Sequence, residues 1–145
     1  MSIVRILIIE DELIIAENMK KMLHDLGYEV TGIACDKNEA VQLLNKEIPD
    51  IALVDIKLRH GDDGIELANS IKEEYNIPVI FITSFSDKDT IERAKFVKPG
   101  GYIVKPFEKK DLYTSIEIAL FNFSGEADNR EKTENQRLDP EMHRI

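Results

Sequence analysis

Ile51-Ala52-Leu53-Val54-Asp55 is a run of four apolar residues that stops on a carboxylate. Two further runs stop on charged residues: Ile6-Leu7-Ile8-Ile9 on the acids Glu10-Asp11, and Gly101-Tyr102-Ile103-Val104 on the base of Lys105-Pro106. Short runs rich in Ile and Val, mostly without polar alternation, read as strands covered on both faces, as in a parallel sheet. If the three runs lie parallel in one sheet, their charged ends gather along one edge. That edge is where open α/β sheets place their chemistry.

Outward from these runs the pattern repeats. Val4–Ile9, Tyr28–Ala34, Ile51–Val54, Val79–Thr83 and Gly101–Val104 read as five strands. Between them, Ile15, Met19, Met22, Leu23 and Leu26 share one helical face, as do Ala40, Leu43 and Leu44, and Ile65, Ala68, Ile71 and Tyr75. A weaker fourth helix runs around Ile91 and Ala94, and Leu112, Ile116, Ala119 and Phe123 stripe a fifth. Gly27 closes the first helix, while Pro49 and Pro78 precede the third and fourth strands. Strand and helix alternating five times calls for right-handed crossovers, giving a doubly wound α/β fold with a five-stranded parallel sheet.

The 145 residues suffice for one domain, and 43% hydrophobic with 32% charged is an ordinary globular composition. A formal net charge of −9 disfavours long-range attraction to nucleic acid. Cys35 is the only cysteine, so no internal disulfide forms, which agrees with a reducing compartment, and cytoplasm is the expected location. No stretch approaches the roughly 20 apolar residues of a membrane span, and the N-terminus lacks a signal-peptide pattern. From Ser124 the chain turns charged, with only scattered large apolar residues such as Leu138, Met142 and Ile145. Residues 1–123 are therefore expected as one domain and 124–145 as a flexible tail or the start of a linker, with a short helix near Arg130–Arg137 as a weak alternative.

With the flavodoxin-like strand order 2-1-3-4-5, strands one and three are neighbours and the crevice lies over their carboxyl ends. Asp11 and Asp55 then face each other beside Glu10. Three gathered carboxylates repel, so one keeps a proton or a cation compensates. Magnesium suits such oxygen ligands and commonly joins one or two carboxylates to phosphate oxygens. Thr83 closes the fourth strand and Lys105 the fifth, a hydroxyl and an ammonium suited to holding a phosphoryl group on Asp55. Taken singly, each has a plainer reading: an acid as a helix cap, Thr83 as a β-branched strand residue, Lys105 as a surface charge. Together they favour a magnesium-dependent phosphoryl-transfer site.

Between Val4 and Phe123 the chain resembles the receiver domains of two-component response regulators, the CheY-like superfamily. The resemblance rests on Ile9-Glu10-Asp11-Glu12, Leu53-Val54-Asp55, Asp63-Gly64-Ile65-Glu66, Ile82-Thr83-Ser84 and Gly101-Tyr102-Ile103-Val104-Lys105-Pro106-Phe107. It implies Asp55 as phosphoacceptor, and a magnesium site from Asp11, Asp55 and the main-chain carbonyl of Lys57, with Glu10 acting through water. It further implies Lys105 as the phosphate-binding cation, Thr83 and Tyr102 as a switch pair, and a cis peptide between Lys105 and Pro106. The implied role is a phosphoacceptor signalling domain, catalysing its own phosphoryl transfer and not an enzyme in the turnover sense. The implied partner is a sensor histidine kinase or phosphotransfer protein, and the output is a changed surface on helix four, strand five and helix five.

The match has departures. Arg59 stands where the family usually has proline, Arg59-His60-Gly61-Asp62 lengthens the loop, Lys57 puts a cation beside the site, and Lys98-Pro99-Gly100 stiffens the exit of helix four. His24 and His60 read as solvent-facing and Cys35 as a small packed residue, while Met19 and Met22 belong to the core stripe. Phe96, Leu120 and Phe121 are candidates for a homodimer surface through helices four and five, with ordinary packing as the alternative. No nucleic-acid-binding module follows Phe123, so direct nucleic-acid binding by this chain is not expected. A phosphorylation-independent interaction module is the main alternative. A magnesium-dependent aspartyl-phosphate phosphatase would want an acid where Lys57 stands, and an FMN binder a phosphate-cradling loop where Glu10-Asp11-Glu12 stands.

Overall fold

In the computed structural model the chain forms β1 (Arg5–Ile9), α1 (Leu13–Asp25), β2 (Glu29–Ala34), α2 (Lys37–Lys46), β3 (Ile51–Asp55), α3 (Gly64–Tyr75), β4 (Val79–Thr83), α4 (Lys88–Lys95), β5 (Gly101–Val104) and α5 (Lys109–Leu138). The structure describes residues 2–58, 61–84 and 88–138, with side chains of α5 as far as residue 125. Arg59 and His60, and the residues after 138, lie outside the described residues. The sheet is parallel in the order β2-β1-β3-β4-β5, the doubly wound, flavodoxin-like arrangement.

The strands alternate between two cores. Leu7, Ile9, Ala52, Val54, Val79 and Phe81 pack on one face against Ala40 and Leu44 of α2, Ile65, Ala68 and Ile71 of α3, and Ala94 of α4. Ile6, Ile8, Leu53, Ile80, Ile82 and Ile103 pack on the other against Ala16, Met19 and Leu23 of α1 and Leu112, Ile116 and Ala119 of α5. A period of two with both faces buried explains why the strands read as unbroken apolar runs.

Local chemistry sets the element ends. Asp36 caps α2 by accepting from Glu39 N–H at 2.9 Å, and the Glu39 carboxylate accepts from Cys35 N–H at 2.8 Å. Asp63 caps α3 by accepting from Ile65 N–H at 2.9 Å. Gly27, at φ 92°, turns the chain out of α1 in the left-handed region that glycine tolerates. One register irregularity falls in β2, where Ile6 pairs with Val30 and Leu7 with Gly32, leaving Thr31 as the extra residue.

β1 and β2 each begin one residue later than the sequence expectation, at Arg5 and Glu29, and two further boundaries differ. β3 includes Asp55, because its paired register continues to Ile82 of β4. α5 does not end near Phe123 but continues as one helix to Leu138. The residues after Ser124 lack an apolar stripe but are rich in Glu, Lys, Arg and Gln, which favour helix without needing a core contact.

Candidate functional site: the acidic edge of the sheet

Register builds the site stepwise across the sheet. Ile9 pairs with Val54, so Glu10 comes level with Asp55; Asp55 pairs with Ile82, so Thr83 lies one step on; Thr83 pairs with Val104, so Lys105 follows. Backbone bonds fix the ends beyond the ladder, with Glu10 N–H on Ala34 O at 2.9 Å and Lys105 N–H on Thr83 O at 2.9 Å. The peptide bond between Lys105 and Pro106 is cis.

Lys105 Nζ donates to Glu10 Oε1 and to Asp55 Oδ2, each at 2.9 Å. The other Asp55 oxygen, Oδ1, accepts from Lys57 N–H at 2.9 Å. Asp55 is therefore held through both oxygens and is buried, as are Glu10 and Thr83. Such fixing removes the rotamer freedom a surface aspartate would have. Tyr102 is half-buried, its ring centroid 6.1 Å from that of Phe81, its register partner on β4.

Glu10, Asp11 and Asp55 each offer a carboxylate oxygen, all within 4.8 Å of one another, with Asp11 half-buried at the rim. Three carboxylates thus face one ammonium. Burial, then the hydrogen bond and charge of Asp55, push the Glu10 carboxyl well above its ordinary range, against the pull of Lys105. Its Oε2 is buried and, among the described residues, has no hydrogen-bond partner. Lys105 is raised as well: desolvation opposes its charge, but the two carboxylates outweigh it. An orphaned buried oxygen among hard donors with excess negative charge suits a small divalent cation such as magnesium.

The structure thus brings Glu10, Asp11, Asp55, Thr83 and Lys105 to one edge, with Lys57 contributing its backbone there and its side chain exposed. Tyr102 lies on β5, level with Phe81 and two residues behind Thr83 in the register. Asp63 entered the sequence reading only within the Asp63-Gly64-Ile65-Glu66 motif, and its pairing with Arg93 was not foreseen. Asp63 caps α3, pairs with Lys57 through an isolated antiparallel bridge, and forms an ion pair with Arg93 of α4. The acid placed just before Gly64-Ile65 carried a cap signal, but nothing in the sequence pointed to its partner on α4.

Residues 6–117 match the sequence profile of the response regulator receiver domain. The chain belongs to this family. Over 119 residues the receiver is 40% identical to the transcriptional regulatory protein PdtaR of Mycobacterium tuberculosis, an alignment covering 82% of this chain and 58% of PdtaR. It is 37% identical over 128 residues to the phyllosphere-induced regulator PhyR of Methylorubrum extorquens, covering 87% of this chain and 46% of PhyR. This chain therefore spans about half the length of the curated relatives it matches. Among solved structures, the signal receiver domain of a modulated diguanylate cyclase from Desulfovibrio desulfuricans superposes with a TM-score of 0.81 at 41% identity, covering 86% of this chain and 99% of that one. A CheY-like receiver from Methanospirillum hungatei gives a TM-score of 0.76 at 30% identity, covering 86% and 99%. The receiver fold and the two-component signalling class follow from these matches.

Among the described residues, no helix is long and apolar enough to cross a membrane. His24 is exposed, Cys35 is only half-buried, and Met19 is buried in the core as its stripe suggested. Phe96 is 88% and Phe121 80% exposed. Leu120, grouped with them in the sequence reading, instead packs against the α1–α5 core.

Proposed function

We propose that the chain is a phosphoacceptor module in which Asp55 takes a phosphoryl group from a phosphohistidine on a sensor histidine kinase or phosphotransfer protein. The observation that carries this reading is Asp55 itself, buried at a strand end with Oδ1 on the Lys57 N–H and Oδ2 on Lys105 Nζ. An Asp55 oxygen attacks phosphorus, the new P–O bond forms as the P–N bond to imidazole breaks, and the departing imidazole nitrogen keeps the electron pair and takes a proton. Positioning and electrostatics supply the acceleration in such transfers.

Asp11, Asp55 and the Lys57 carbonyl would hold magnesium, with Glu10 acting through water; the ion when bound supplies neutralisation of charge on the phosphoryl oxygens. Lys105 supports the same oxygens and is already directed at Asp55. Thr83, buried next along the edge, donates its hydroxyl to the phosphoryl group, and Tyr102 turns inward behind it, altering the surface of α4, β5 and α5. The protein acts on itself once per signal, as a switch and not as a turnover enzyme.

The donor approaches over the α1 side. A hollow of about 530 Å³ lined by Ile14, Ile15, Asn18, Lys105, Pro106 and Phe107 opens beside the site. Ile14 on its rim is 88% exposed. An exposed apolar rim next to a buried nucleophile suits an apolar protein surface that surrounds the phosphohistidine. The exposed Phe96 and Phe121 support self-association on the α4 and α5 side after the switch. The net charge of −9 supports an output through protein contact and not through direct nucleic-acid binding by this chain, and the expected compartment is the cytoplasm. Lys57 occupies the position where an aspartyl-phosphate phosphatase would carry its acid, which weighs against that class.

Intact-mass measurement after incubation with a small acyl phosphate and magnesium tests the proposal. A single phosphoryl adduct that hydroxylamine removes supports an acyl phosphate on Asp55; a hydroxylamine-resistant adduct, or none, overturns it.

A further inference from the structure

α4 is the least well packed of the five helices around the sheet. Of its eight residues, Ala94 alone is buried; Ile91 is half-buried and Val97 follows just past the end. A helix this short with so little apolar burial does not hold its place by propensity. Among the described residues, two polar contacts tie it to the α3 side. Arg93 forms an ion pair with Asp63 Oδ2, while Asp63 Oδ1 caps α3. At the other end, Lys72 Nζ donates to Val97 O at 2.9 Å and Lys98 O at 3.0 Å, carbonyls of the turn that follows α4. Lys98 itself sits at φ 56°, closing the turn.

The Asp63 end connects to the acidic site. Asp55 Oδ1 accepts from Lys57 N–H, Lys57 pairs with Asp63, and Asp63 holds Arg93. Between the β3–α3 loop and α4 lies a hollow of about 380 Å³ lined by Ile56, Lys57, Leu58, Asp63, Ile65, Thr90 and Arg93 among others, so the ion pair is a bridge across a gap and not the rim of a packed contact. Burial alone would raise Asp63, but the Arg93 guanidinium and the capped N–H groups outweigh it and hold the carboxylate ionised.

We propose that Arg93–Asp63 and Lys72 are two clasps that set the position of α4, and that the Arg93 clasp couples α4 to the loop carrying Lys57, a route separate from Thr83 and Tyr102. Arg93 is then a positioning residue. The coupling, though not the clasps, rests on the proposed phosphoacceptor role. When charge is added at Asp55 the Lys57 N–H is drawn to a new acceptor, the bridge to Asp63 adjusts, and the Arg93 clasp opens.

Amide hydrogen exchange of the whole chain, in wild type, Arg93→Ala and Lys72→Met, with and without phosphorylation by acetyl phosphate and magnesium, tests this. In the unphosphorylated proteins, exchange in residues 91–97 should accelerate by about two- to five-fold in Arg93→Ala, the factor that an exposed ion pair supplies, and by at least as much in Lys72→Met, which loses two hydrogen bonds to carbonyls, with α1 and β3 unchanged. Wild-type rates in α4 of both variants overturn the clasps. Phosphorylation should accelerate the same amides in wild type and add little in Arg93→Ala; equal increments in the two overturn the coupling. A chain that takes no phosphoryl group overturns the coupling together with the proposed function, while the unphosphorylated comparison still decides the clasps.

Discussion

Lys105 Nζ lies 2.9 Å from Asp55 Oδ2 although β4 separates their strands. Two strand spacings amount to roughly 10 Å, so the lysine side chain reaches across the end of β4 to Asp55. It follows Val104, the register partner of Thr83 at the end of β4.

Lys105→Met keeps most of the stem and removes the charge. Phosphoryl labelling of Asp55 should slow by about 100-fold, the scale on which a single oxyanion-stabilising donor acts, while magnesium still binds. Quench-flow labelling alongside a magnesium titration checks both, and an unchanged labelling rate would remove Lys105 from the mechanism.

Thr83→Ala should separate labelling from switching. The variant accepts a phosphoryl group, since Asp55, Lys105 and the acids are untouched, but the Tyr102 ring keeps its unphosphorylated environment. Ring NMR signals of Tyr102 should move on phosphorylation in wild type and stay in place in Thr83→Ala.

Gly64→Ala tests a contact that no strand pattern reveals. A Cβ there would lie 2.1 Å from Asp55 O and 2.6 Å from Ile56 O, both backbone atoms that have no rotamer by which to escape. The start of α3 would have to move away from the phosphoacceptor strand. Urea unfolding should show a loss of about 1–3 kcal/mol, and labelling should fall with it. An alanine variant of wild-type stability would mean that α3 relaxes freely at this point.

The contrast between Gly64 and Asp55 shows what the sequence made legible. Strands buried on both faces carry Ile and Val regardless of side, so β1, β3 and β4 stood out as runs, the edge strand β5 as a shorter one with only Ile103 buried, and the polar residues that end them gather at one edge. Register then made neighbours of residues that linear spacing leaves far apart. Close approach of backbones, as at Gly64, leaves no pattern beyond a glycine that has several possible reasons to be there. The partner of Asp63 was hidden for a similar reason, because Arg93 on α4 looks like any exposed helix charge. The length of α5 was hidden because the reading followed apolar periodicity, and Ser124–Leu138 is helical without one.

Asp63 also gives a pH dependence. Its folded-state pKa lies below the ordinary 3.8: desolvation alone would raise it, but Arg93 and the N–H groups of Ile65 and Glu66 more than offset that. A depressed carboxylate stabilises the fold at pH above its unfolded value, and that contribution is lost as pH falls through the folded value. The difference in melting temperature between wild type and Asp63→Asn should therefore be constant from neutral pH down to about 5 and shrink below about 4. A difference that grows on acidification would contradict the assignment.

The most direct test of the central claim is phosphate-affinity gel mobility after incubation with acetyl phosphate, for wild type and Asp55→Asn, with and without magnesium. A retarded band is expected in wild type with magnesium and in no other lane. No retardation of wild type under conditions that label a control receiver, or a band that persists in Asp55→Asn, would contradict it.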